Sequence, residues 1–323
     1  MSLLTTHVGS YPKPPELQRA RTRFSRKEIS AAALRALEEK ATREWILFQE
    51  SIDLDILVDG EMYRGDMATY FAENLDGAQV SGLVRSYGNR YYKKPLVTGE
   101  LRRRGPITVD WWRFAQALTT RPVKGMLTGP YTMMDWSFDE HYGSRRDLAM
   151  AFARVIREEV LDLERAGAKY IQVDEPALSV RADEMPLVHD ALGFVTKGVK
   201  AKTITHTCFG NYEALYADLA RLPVDQVDLE MSNSGLDLLD LFRRSPFPKE
   251  VAFGVIDVHT HVLETKDLVK ERIRRALEVL PPERLLIDPD CGLKTRTVEE
   301  AQAKMAVMVA ATKEIRAELA AKG

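Results

Sequence analysis

YIQVDEPALSVRADEMPLVHDALGFVTKGVKAKTITHTCF, residues 170–209, opens and closes on a β-branched run and carries a long amphipathic segment between them. Strand, helix and strand in that order read as a parallel β/α unit, because parallel neighbours need a crossover of a dozen or more residues. The alternation recurs outward in both directions. Upstream lie LLTTHVGS at 3–10, ILVDGE at 56–61 and VKGMLTGP at 123–130; downstream lie QVDLEM at 226–231, VAFGVID at 251–257 and LLIDPDCG at 285–292. With YIQVDEP at 170–176 and TITHTCF at 203–209 these make eight strand candidates. The expected fold is therefore α/β, a single (β/α)8 TIM barrel over residues 1–323, an architecture of about 250 residues plus insertions. SGLVRSYGNRYYKKPLVTGELRRRGPITV, 81–109, reads as a β-hairpin insertion between strands 2 and 3, turning at Gly88-Asn89. Ser25-Arg26-Lys27-Glu28 reads as a capping box opening a helix that runs towards Ile52, and further helices are expected to start near Ser144, Thr265 and Thr297.

Composition narrows the function classes. Basic and acidic residues number 46 and 48, a formal charge of -2, so no basic field exists to hold nucleic acid or an anionic membrane surface. The first residues lack the charged-then-apolar order of a secretory signal, and no apolar run approaches the roughly 20 residues of a membrane span. A cytoplasmic protein acting on small molecules is expected. Two cysteines, far apart, fit a reducing compartment in which thiols serve chemistry rather than disulfides.

Nearly every strand candidate ends in a residue able to do chemistry: Ser10, Glu61, Asp174 with Glu175, His206 with Cys208, Glu230, His259 and Cys291. In a barrel those ends converge on one face. Helix capping would account for an Asp or a Ser, but not for both cysteines. His206 and Cys208 stand at i and i+2, where strand side chains point the same way, so they can share a metal. Glu230 and Cys291 would complete an N/O/S2 set suited to zinc. Each residue alone also has an ordinary structural reading, as a buried thiol or a core histidine, and a purely structural zinc stays open.

HVGSYP at 7–12, VDGEMYRGDM at 58–67, SYGNR at 86–90, KGMLTGPYTMMDWSF at 124–138, QVDEPAL at 172–178, HTCF at 206–209, DLEM at 228–231, DVHTH at 257–261 and DPDCGLKTR at 288–296 resemble, in order, the catalytic C-terminal barrel of cobalamin-independent methionine synthase. The resemblance spans essentially the whole chain and implies a homocysteine S-methyltransferase with catalytic zinc on His206, Cys208, Glu230 and Cys291. It further implies that Val8, Gly9, Ser10, Glu61 and Asp174 hold the amino and carboxyl groups of homocysteine, as charge-assisted bonds do well. An ion pair of Glu61 with Arg64 is the structural alternative. His259 is implied as proton donor to the leaving group, with Trp136 and Arg90 as contacts of the methyl donor.

Full-length members of that family carry an additional N-terminal barrel that helps hold a folate polyglutamate tail. The resemblance here is to the short, core-only form without that half. Tyr91 stands where the family has a cysteine, and Val180 where it has a pterin-binding glutamate; losing such a buried partner costs about 1–3 kcal/mol. These departures point to methylcobalamin or a methylated corrinoid protein as the donor, with 5-methyltetrahydrofolate, as mono- or polyglutamate, the alternative. Methylation of another thiol such as coenzyme M is a further alternative, though that thiol has no ammonium for Glu61 and Asp174 to bind. A tetrapyrrole decarboxylase would not need the zinc set, and a barrel that only docks a corrinoid protein would not turn over.

Overall fold

The computed structural model of the chain describes residues 3–85, 91–208 and 212–321. Its strands are β1 (Leu75–Arg85), β2 (Tyr91–Arg103), β3 (Gly125–Thr128), β4 (Phe138–Asp139), β5 (Tyr170–Asp174), β6 (Lys202–Thr207), β7 (Gln226–Leu229), β8 (Glu250–Ile256) and β9 (Leu285–Pro289). The chain divides into two compact units. The first comprises Met1–Tyr63, Trp111–Lys124 and Gln226–Gly323, and the second Arg64–Asp110 and Gly125–Asp225. Each is mixed α/β with parallel strands at its centre.

In the second unit β3, β5 and β6 run parallel, Gly125 facing Ile171 and Ile171 facing Thr203. Apart from residues at their starts these strands are buried, as parallel strands covered on both faces are. The helix Arg145–Ala166 buries Leu148, Phe152, Val155, Ile156, Val160 and Leu163, a stripe at i, i+3 and i+4. It starts where the sequence places it, with the Ser144 hydroxyl accepting from Asp147 N at 3.0 Å.

The antiparallel pair of this unit, β1 with β2, occupies 75–85 and 91–103, bounds different from the expected 81–109. The turn at Gly88-Asn89 lies outside the described residues. The ladder ends at Arg103; beyond it Ile107 N, Thr108 N and the Thr108 hydroxyl all donate to the buried Glu159 carboxylate, and the helix Val109–Gln116 follows.

In the first unit β7, β8 and β9 are parallel, Gln226 facing Glu250 and Val251 facing Leu285. The runs at 3–10 and 56–61, expected as strands, form only isolated parallel bridges, Thr5 with Ile287 and Leu57 with Val123. Local bonds take over after one or two residues in each. Gly9 N donates to His7 Nδ1 at 2.9 Å, and the Asp59 carboxylate accepts from Glu61 N and from the Tyr63 hydroxyl, each at 2.9 Å. Side-chain bonds to nearby backbone of this kind compete with a ladder.

The expected capping box at Ser25 is also corrected. Ser25 closes the helix Pro15–Ser25, its hydroxyl donating to Thr22 O at 2.7 Å. Lys27 at φ +60 then reverses the chain, and Ser30 caps a second helix, Ala31–Ser51, by accepting from Ala33 N. Thr265 and Thr297 do cap helices, Thr297 in a reciprocal box with Glu300. Among the described residues no helix is long and apolar enough to cross a membrane.

Candidate active site

In the first unit the chemistry-bearing residues follow the strands directly. Glu230 comes straight after β7 and is buried. Its Oε1 accepts from Asn233 Nδ2 at 3.0 Å and lies 2.9 Å from His259 Nε2. The imidazole side chain keeps 37% of its surface exposed against 4% for the carboxylate, so a solvent-reachable proton carrier sits on a shielded acid. His259 stands in the turn after β8, with its backbone N–H on Asp257 Oδ1 at 2.8 Å.

Asp290 and Cys291 follow β9, and the Cys291 side chain is half-buried. The buried Asp290 carboxylate accepts the N–H groups of Met231, Ser232 and Asn233, each at 2.9 Å, and the Ser232 hydroxyl. It thereby pins the loop that presents Asn233 to Glu230. Burial pushes its pKa up to about 6 against these hydrogen bonds, and the Glu230 charge adds to the rise. Glycine at 254 on β8 permits this, since a Cβ there would stand 2.2 Å from Asp290 Oδ1.

Val8 and Gly9 are buried and Ser10 is half-buried. The Ser10 carbonyl accepts from Leu293 N at 2.7 Å, tying that segment to the turn after Cys291. Glu61 has φ +60, and its carbonyl accepts from Lys13 Nζ at 3.0 Å.

In the second unit Asp174 ends β5 and accepts from Gln172 Nε2 at 2.7 Å. The adjoining Glu175 is a clamp: its buried carboxylate takes Tyr131 N at 3.0 Å, Thr132 N at 2.7 Å and the Thr132 hydroxyl at 2.7 Å. Burial raises its pKa to about 7. A side chain at Gly129 would occupy the same space, its Cβ only 2.3 Å from Glu175 Oε1. His206 is buried near the end of β6 and the half-buried Cys208 follows the strand. Trp136, half-buried, ends the short helix Pro130–Asp135. Arg64 is buried, donates to the Met126 carbonyl and lies 5.3 Å over the Phe71 ring. Arg90 and the side chains of Tyr91 and Val180 lie outside the described residues.

Asn233 and Asp290 escape the sequence reading. The only signal was an aspartate next to Cys291 and a glycine inside the apolar run 251–257. Their partners are remote in sequence, and only folding supplies them.

Parallel strands whose C-terminal ends carry imidazole, thiol and carboxylate groups define the class, an α/β protein with a strand-end site. A structure described as a B12-independent methionine synthase from a Shewanella species, in complex with selenomethionine, matches it with a TM-score of 0.89 and 29% identity, covering 99% of this chain and 100% of that one. The chain belongs to the family described as "Cobalamin-independent synthase, Catalytic domain", whose model it matches over residues 3–314. Proteins named 5-methyltetrahydropteroyltriglutamate–homocysteine methyltransferase are similar to it, at 39% identity in Aeromonas salmonicida and 40% in Haemophilus influenzae, each over 98% of this chain. The chain spans 44% of the length of both.

The family overturns the expectation of a methylcobalamin donor and of a corrinoid-protein partner. The expectation rests on two departures from the family pattern, Tyr91 and Val180. A lost partner costs about 1–3 kcal/mol, a change in affinity that by itself does not select a donor class.

Proposed function

We propose that the chain is the catalytic (β/α)8 barrel domain of a zinc-dependent methyltransferase that moves a methyl group from a 5-methyltetrahydropteroyl glutamate to the thiol of L-homocysteine, forming L-methionine. The observation that carries this is the 39–40% identity to relatives named for that reaction, extending over 98% of the chain.

His206, Cys208 and Cys291 each offer one ligand atom to a metal ion, and Glu230 adds a buried carboxylate. One imidazole, two thiolates and one carboxylate suit zinc and fit its usual coordination number. Zinc, when bound, favours the thiolate form of a thiol substrate at neutral pH.

The chain's own residues do the rest. Glu61 and Asp174 bind the substrate ammonium, while the backbone of Val8 and Gly9 and the Ser10 hydroxyl hold its carboxylate. Trp136 stacks on the pterin, and Arg90 is a further donor contact. His259 gives its proton to the folate nitrogen as that nitrogen loses the methyl group to sulfur. Its hydrogen bond to Glu230 Oε1 holds the ring in one orientation. A carboxylate has a second oxygen, so Glu230 can serve His259 and a metal together.

The test is methionine formation by zinc-loaded protein given homocysteine with mono- or triglutamyl 5-methyltetrahydrofolate, beside free methylcobalamin. Methionine from either folate supports the assignment. None from either, with zinc measured as bound, overturns it.

A further inference from the structure

Lys304 is a fully buried lysine, and none of the roles above uses it. It projects from the C-terminal helix Val298–Ala320, and its ammonium donates to Asp257 O at 3.0 Å, Val262 O at 2.6 Å and Glu264 Oε2 at 2.8 Å. Three N–H groups thus meet three acceptors, which is all that an ammonium can donate. The other oxygen of Glu264 accepts from Asp257 N at 2.9 Å, and Asp257 Oδ1 accepts from His259 N at 2.8 Å. Segment 257–264 is therefore closed into a ring whose two ends are held by the buried Lys304–Glu264 pair, with Arg272 Nη1 at 4.0 Å from the other Glu264 oxygen. The side chains of the ring still face solvent at Val262, 70% exposed, and Leu263, 49%. His259 lies inside the ring, with its Nε2 on Glu230.

A buried ion pair is weak evidence for stability, because apolar residues of the same shape often serve as well, and its better attested use is to select one conformation. We propose that the Lys304–Glu264 pair is a positioning device for His259, fixing the loop so that the imidazole meets Glu230 and the donor in one register. This rests on the reading of His259 as proton donor. A group misplaced by about 1 Å costs roughly 100-fold in rate, so the expected loss is in kcat, with KM for homocysteine unchanged to within about twofold.

The experiment compares wild type, Lys304→Met, Lys304→Met/Glu264→Leu, His259→Asn, and each Lys304 variant in the His259→Asn background. The readouts are steady-state kinetics, zinc content and amide hydrogen exchange over 257–264. Where Lys304→Met alone fails to fold, since it strands the Glu264 carboxylate, the double variant removes both charges of the pair, a replacement that is often neutral or stabilising. Support is a kcat loss of about 100-fold with zinc retained, faster exchange confined to 257–264, and no further loss in the His259→Asn background. A folded double variant with wild-type kcat, an equal loss without His259, or unchanged exchange would overturn the proposal. Full turnover by His259→Asn would instead sink the proton-donor reading, and exchange would still judge the loop ordering by itself.

Discussion

Glu230 Oε1 is bonded to Asn233 and to His259, so one buried oxygen couples a loop amide to the proposed proton donor. That loop is shaped by Asp290, whose four donors leave its carboxylate no room to move. Gly254→Ala would drive a methyl group into this carboxylate and should destabilise the protein by about 1–3 kcal/mol in denaturant unfolding. An unchanged midpoint would mean that Asp290 shifts freely. The thiols are the other residue-scale test. Cys208→Ser and Cys291→Ser should each abolish zinc binding, read by metal analysis, together with methionine formation. Turnover without metal would defeat the proposed mechanism.

At the scale of elements, helix starts are set by which hydroxyl actually meets an orphan N–H group. Ser30 accepts from Ala33 N, whereas Ser25 bonds a carbonyl inside the preceding helix. Ser30→Ala should therefore cost about 1 kcal/mol, and Ser25→Ala less than about 0.5 kcal/mol. Thermal melts of the two variants separate the readings, and equal shifts would contradict the observed caps. Sequence pattern found the caps at Ser144, Thr265 and Thr297 because each polar cap stands before a clean 3.6-residue stripe. Near Ser25 two helices with similar periodicity run close together, and the reversal at Lys27 has no glycine to announce it.

Across the whole molecule, stability should carry a pH signature from Glu38, which burial pushes up to about 7 despite Arg21, Lys13 and Arg35 nearby. An unfolded glutamate titrates near 4.3, so in the native state Glu38 holds its proton longer than in the unfolded chain. Its contribution is complete below about pH 4.3 and is lost as pH rises through about 7. Glu38→Gln should flatten that part of the melting temperature profile, and superimposable profiles for the two proteins would count against it. The sequence by itself determined the alternation of strands and helices, six of the parallel strands, and the polar residues at strand ends, because strand and helix periodicities and strand-end chemistry are local properties. The family likeness rested on the same short motifs. Tertiary structure alone decided that the runs at 3–10 and 56–61 form bridges instead of ladders, and that Glu230 takes Asn233 and His259 as partners. It alone also placed Lys304 beneath the His259 loop, 40 residues away from its partner Glu264. Those outcomes depend on which buried donors and acceptors meet after the chain closes on itself, and pairing between distant residues leaves no mark in the periodicity of either segment.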